Sequence, residues 1–142
     1  MKRVVTETEV HAHIPAVWRT LTDFEHYVDW NPTFCNVVGD AVLGSRVTMT
    51  ERLPDSKAKD RVYRITRMDP NAEMHLATDM GKGVSGETII RIAPIEEGVT
   101  RVTYEGIYDG FGLAFMGKDF EDKVQRGFQA MGAALKKRIE KA

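Results

Sequence analysis

The chain predicts an α+β fold: a seven-stranded antiparallel sheet curled around one long C-terminal helix, with two short helices between the first and second strands. Three observations carry this. Residues 2–11 alternate and are rich in Val and Thr, as a half-buried strand requires. Between Thr33 and Tyr108, short β-branched runs recur with turn signals between them, the pattern of an antiparallel meander. After Asp109-Gly110 the period changes to that of a single amphipathic helix, whose apolar stripe has only the sheet to bury against.

The elements follow in order. Pro15 suits the first turn of a helix that carries Val17, Trp18 and Leu21 at helical spacing, because its fixed φ and missing N–H cost nothing there. Thr22 or Asp23 is the expected N-cap of a second short helix with Phe24, Tyr27 and Val28, and Asn31-Pro32 closes it. Six runs then read as strands: Val37-Val38, Arg46 to Arg52, Arg61 to Met68, Glu73 to Met80, Val84 to Ile92 and Val99 to Tyr108. The long helix is expected to reach about Lys141, with Phe120, Val124, Phe128, Met131, Leu135 and Ile139 as its stripe.

Length and composition bound the rest. At 142 residues, with no linker or repeat, the chain reads as one domain spanning 1–142, large enough to fold without staples. Cys35 is the only cysteine. A single unpaired thiol and an N-terminus without an apolar segment lead to a cytoplasmic expectation. No run approaches the length of a membrane span, so stable membrane insertion is not expected. With 20 Lys and Arg against 21 Asp and Glu, nucleic acid is not the expected partner. Lys136-Lys137-Arg138 falls in the last turns of the long helix, where cations suit the dipole.

The element order, together with Val17 to Tyr27 and Trp30-Asn31-Pro32, resembles the START-like helix-grip superfamily, in its polyketide cyclase/dehydrase and lipid-transport branch. Weaker echoes lie in residues 98–104 and 108–110. The resemblance implies an apolar cavity between sheet and helix, and members that bind lipids, polyketides, hormones or protein partners. Only a minority are enzymes, so an activity does not follow from the fold.

Strand alternation supplies candidate walls. Val102, Tyr104, Gly106 and Tyr108 fall on one face, with Arg101 and Glu105 toward water. Thr88, Ile90 and Ile92 share the inward face, as do Met74, Leu76, Thr78 and Met80, and Val47, Met49 and Glu51. The phase of residues 61–68 stays open, since Val62 and Ile65 fall on opposite faces. Gly86, Gly106, Gly127 and Ala134 would leave volume unfilled, or else mark bulges that curl the sheet.

The ligand-binding set is therefore Trp30, Met49, Glu51, Leu76, Thr78, Thr88, Ile90, Tyr104, Tyr108, Phe115, Phe120, Val124 and Phe128. Phe111, Leu113 and Phe115 form an apolar segment among glycines that can gate the entrance. The expected ligand is a small apolar or amphipathic molecule of lipid, polyketide or aromatic type. The alternative is a cyclase or dehydratase using the same cavity, with Glu51 as acid or base and Tyr104 polarising a carbonyl. Glu51 can equally be a surface partner of Arg46 or Arg52. A third reading is a protein-binding module, and a homodimer is compatible with the sequence.

No metal and no cofactor are expected. His11 and His13 lack a third ligand. Gly81-Lys-Gly-Val-Ser-Gly86 spells the dinucleotide fingerprint but is followed by a strand pattern, so it reads as a hairpin.

Overall fold

The computed structural model describes residues 1–141. Strand β1 (Lys2–Val10) leads into helix α1 (Ile14–Thr22) and a 3₁₀ turn (Phe24–Asp29). Six strands follow: β2 (Phe34–Val38), β3 (Arg46–Glu51), β4 (Lys59–Asp69), β5 (Glu73–Gly81), β6 (Val84–Glu96) and β7 (Val99–Asp109). A second 3₁₀ turn (Phe111–Phe115) precedes helix α2 (Phe120–Glu140). The sheet order is β1-β7-β6-β5-β4-β3-β2, antiparallel throughout.

Local chemistry explains the departures from the expected boundaries. Thr22 does not cap the second turn, because its hydroxyl donates to the Trp18 carbonyl at 2.9 Å. The Asp23 carboxylate is engaged by the His26 ring at 2.8 Å instead. Asn31 Oδ1 accepts the backbone N–H groups of Thr33 and Phe34 at 3.0 and 2.9 Å. That side-chain turn launches β2 three residues before Val37. Strand β6 runs past Ile92, with Pro94 opposite Thr100 at an irregularity in the ladder, a position where a missing N–H is tolerated.

The long helix starts late because the chain is first pinned to the β5–β6 hairpin. The Gly112 N–H donates to the Gly83 carbonyl at 3.1 Å, and Gly110 adopts φ 119°. The hairpin itself turns on Lys82 and Gly83, both at positive φ, as a tight two-residue connection demands.

The stripe of α2 packs on the inner face of the sheet: Phe120, Val124, Phe128, Met131 and Leu135 are buried and Ile139 is partly so. On β4 the open phase resolves, with Tyr63 and Ile65 buried and Val62 54% exposed. The inner face of β4 therefore reads Lys59, Arg61, Tyr63, Ile65 from rim to core.

One outward residue departs from expectation. Glu105 lies on the outer face as its phase requires, yet it is only 2% exposed. Arg91 donates to it at 2.6 Å and Arg3 forms a second ion pair. Both guanidinium groups shield it from water. Burial raises the Glu105 carboxyl, but the hydrogen bonds from Arg91 and Arg3 prevail and hold it below its ordinary range.

Candidate functional site

Two hollows meet between the sheet and α2. The inner one is a slot of about 10 Å³ lined by Thr33, Phe34, Glu51, Leu53, Met80, Thr88, Tyr108, Phe120, Val124 and Phe128. That is room for about one water. The outer one is a mouth of about 240 Å³ between the β3–β4 loop and the start of α2. Ser56, Lys57, Lys59, Arg61, Met116, Gly117, Asp119 and Lys123 line it. Glu51, Leu53, Met80 and Phe120 belong to both walls and separate the two.

The slot is narrow because the glycine space expected to stay empty is occupied. The Tyr108 side chain lies over Gly86 and Gly106, where an added Cβ would meet its ring at 3.3 Å and its hydroxyl at 2.7 Å. The Met80 sulfur also approaches Gly86, while Leu53 and Thr33 fill the space beside Gly127. Tyr108 meets Phe120 edge to face at 4.9 Å. Both are side chains at the boundary of the slot, so their rotamers set its volume.

A polar cluster sits where slot and mouth join. Tyr63 donates to Glu51 Oε2 at 2.8 Å, and Arg61 Nε lies 3.4 Å from the same oxygen. Burial first, and the Glu51 charge second, push the Tyr63 phenol well above its ordinary value, so it stays protonated and donates. Burial likewise raises Tyr108, with Glu51 adding to the effect. Arg61 Nε is enclosed and finds no hydrogen-bond acceptor.

Of the residues expected to bind a ligand, Glu51, Thr88, Tyr108, Phe120, Val124 and Phe128 line the slot. Met49, Leu76 and Ile90 are buried core beside it rather than on its wall. Tyr104 is fully buried and stacks on Phe128 at 5.9 Å, its hydroxyl without a partner. It does not line the slot that holds Glu51. Trp30 packs on Tyr27 at 5.1 Å, away from both hollows.

Thr78 is engaged elsewhere, donating to the Val62 carbonyl at 2.7 Å. Phe115 is 88% exposed and Phe111 85%, outside the mouth's walls, with the Phe111 ring resting on Gly83. Sequence reasoning passed over Arg61, Tyr63 and Leu53. The signal available for the first two was the hairpin register that sets Glu51 opposite Lys59. That register fixes β4's face from β3's.

A larger hollow lies elsewhere, on the outer face of the sheet, about 530 Å³ between residues of β3 to β7 such as Arg64, Asp79, Glu87 and Ile107. It is an open depression with no covering element, and solvent accounts for its size. One trio of possible metal ligands, Asp23, Glu25 and His26, gathers among the described residues. The Asp23–His26 hydrogen bond explains that cluster.

A family model described as polyketide cyclase/dehydrase and lipid transport matches residues 1–140. No curated protein matches the chain. A START superfamily protein from Mycobacterium smegmatis superposes with a TM-score of 0.80 at 16% identity, covering 98% of this chain and 97% of that one. Norcoclaurine synthase from Thalictrum flavum, in complex with dopamine and hydroxybenzaldehyde, superposes with a TM-score of 0.77 at 20% identity, covering 99% and 87%. A Staphylococcus aureus protein of unknown function gives 0.71 at 14% identity, covering 99% and 95%. Identities this low establish a shared fold, the helix-grip arrangement, and no shared chemistry. Among the described residues, no helix is long and apolar enough to cross a membrane.

Proposed function

The chain belongs to the polyketide cyclase/dehydrase and lipid transport family, and on that premise we propose that it binds a small apolar or amphipathic molecule between the sheet and α2. The molecule enters by the mouth beside Lys59 and Met116 and reaches inward past Met80 and Phe120. The observation that carries this reading is the shared wall. A mouth of about 240 Å³ abuts an apolar slot of about 10 Å³, with Leu53, Met80 and Phe120 alone in apolar contact with both. A lining of apolar side chains with few polar groups at one end is the usual form of a small-molecule site.

The slot as it stands admits no ligand, so binding requires these side chains to turn aside. Met80 has the flexibility for it. If Tyr108 also turns away, the floor over Gly86 and Gly106 is left without a side chain to refill it. The fold tolerates such occupants, since norcoclaurine synthase holds dopamine and hydroxybenzaldehyde.

Native mass spectrometry of the protein as expressed tests the reading. The expected result is a fraction carrying one small organic molecule, lost on mild solvent extraction. A Phe120→Trp variant, which adds volume at the partition, is expected to lose that fraction while remaining folded. Retention of the same molecule by the folded variant would place the ligand elsewhere and defeat the reading.

A further inference from the structure

The mouth carries a surplus of cations in a chain whose formal net charge is −1. Its lining carries Lys57, Lys59, Arg61 and Lys123 against Glu51 and Asp119. Two of those cations are already partnered: Lys123 Nζ lies 3.5 Å from Asp119, and Arg61 Nε lies 3.4 Å from Glu51. Among the described residues, Lys57 and Lys59 have no ion-pair partner. The mouth therefore keeps two uncompensated positive charges.

Arg61 adds a second, independent observation. Its Nε is enclosed yet makes no hydrogen bond, because the Glu51 oxygen 3.4 Å away balances its charge without the distance and alignment a hydrogen bond needs. Buried donors are almost always paired, and a guanidinium presents a planar fork that fits an oxyanion at two points. The inner face of β4 grades from Lys59 through Arg61 and Tyr63 to the buried Ile65. An occupant matched to that gradient is charged at the rim and apolar inward.

From the uncompensated cations and the orphaned guanidinium nitrogen, we infer that the ligand is an anionic amphiphile whose carboxylate docks at Arg61, with Lys57 and Lys59 beside it and its apolar body turned toward Met80 and Phe120. The inference rests on the reading of the pocket given above and narrows it. Amines are disfavoured by the same charges, and neutral ligands, although a carbonyl can accept from Arg61, leave the Lys57 and Lys59 charges uncompensated. A small head group suits a mouth of about 240 Å³.

The test is isothermal titration of the full chain with three probes of one shape: 2-naphthoate, 2-naphthamide and 2-naphthylmethylamine. The carboxylate is expected to bind at least tenfold tighter than the amide and tighter still than the amine, with the advantage shrinking as salt rises. Lys57 and Lys59 sit on an exposed loop and strand end, so a K57A/K59A double variant folds. It is expected to weaken naphthoate severalfold and leave the amide unchanged, and Arg61→Gln to remove most of the remaining preference.

Amide binding equal to naphthoate overturns the anionic head group while leaving the pocket reading standing. Naphthoate binding insensitive to both variants also overturns it. If none of the three probes binds, the pocket reading falls together with the inference.

Discussion

Tyr104 and Tyr63 show how two phenols of one inner face take different parts. Tyr63 is anchored by its donation to Glu51 and stands at the junction of slot and mouth. Tyr104 sits deep against Phe128 with a hydroxyl that meets nothing, and burial raises that hydroxyl well above its ordinary value. An enclosed hydroxyl without a partner forfeits its hydration and gains nothing in return. Tyr104→Phe is therefore expected to leave stability unchanged or raise it by up to about 1 kcal/mol, as read from the urea midpoint. A loss of more than that amount would mean the hydroxyl has a partner in solution. The inward phase of Tyr104 was legible in the alternation of its strand. Its separation from the Glu51 cluster was not, because β3 and β7 meet only through the curl of the sheet.

At the scale of elements, the outer faces of β5, β6, β7 and β1 carry a chain of charges. Arg3 and Arg91 close on Glu105, Arg91 also reaches Glu73 at 3.1 Å, and Glu73 meets His75 at 3.0 Å. The His75 hydrogen bond, with help from Arg67 and Arg91, holds Glu73 below its ordinary value, and Glu105 is also depressed. Depressed carboxylates favour the folded state above their unfolded value of 4.5. That contribution is lost as pH falls through the lower folded values. The contribution of this network to urea midpoints should therefore be flat near neutrality and fall below about pH 4.5. Glu105→Gln should fall less steeply on that limb while being less stable at pH 7, and an equally steep limb would sever this network from acid sensitivity.

The elements themselves were largely readable in the chain: strand order, the α2 stripe and the glycine-rich hairpin all follow from periodicity and turn chemistry. The phase of β4 was hidden because the rim end of its inner face is polar, with Lys59 and Arg61 occupying positions where alternation expects apolar residues. The segment after Gly110 read as a glycine-flanked apolar stretch before or at the start of the helix, since Phe111, Leu113 and Phe115 step by two and the helical stripe begins only at Phe120. Only the contact of Gly112 with Gly83 shows why it forms a separate 3₁₀ turn.

On the scale of the whole molecule, the helix-grip fold closes almost completely on its own side chains. Fold class and family were legible because the order of elements is itself the signature. Cavity size was not, since a glycine on an inner face is empty space only if no neighbour leans into it, and here Tyr108 and Met80 do. The binding proposal therefore amounts to a claim about motion: the partition of Leu53, Met80 and Phe120, with Tyr108 behind it, opens when an anionic amphiphile arrives at Arg61.

Methionines report on that claim, because Met80 and Met116 line the mouth while Met74 and Met131 are buried elsewhere in the core. Methyl NMR of the protein labelled at methionine, titrated with 2-naphthoate, should move the Met80 and Met116 signals first and farthest, saturably, with Met1 unmoved. Saturable shifts confined to methionines outside the mouth, such as Met68, would contradict a ligand between the sheet and α2.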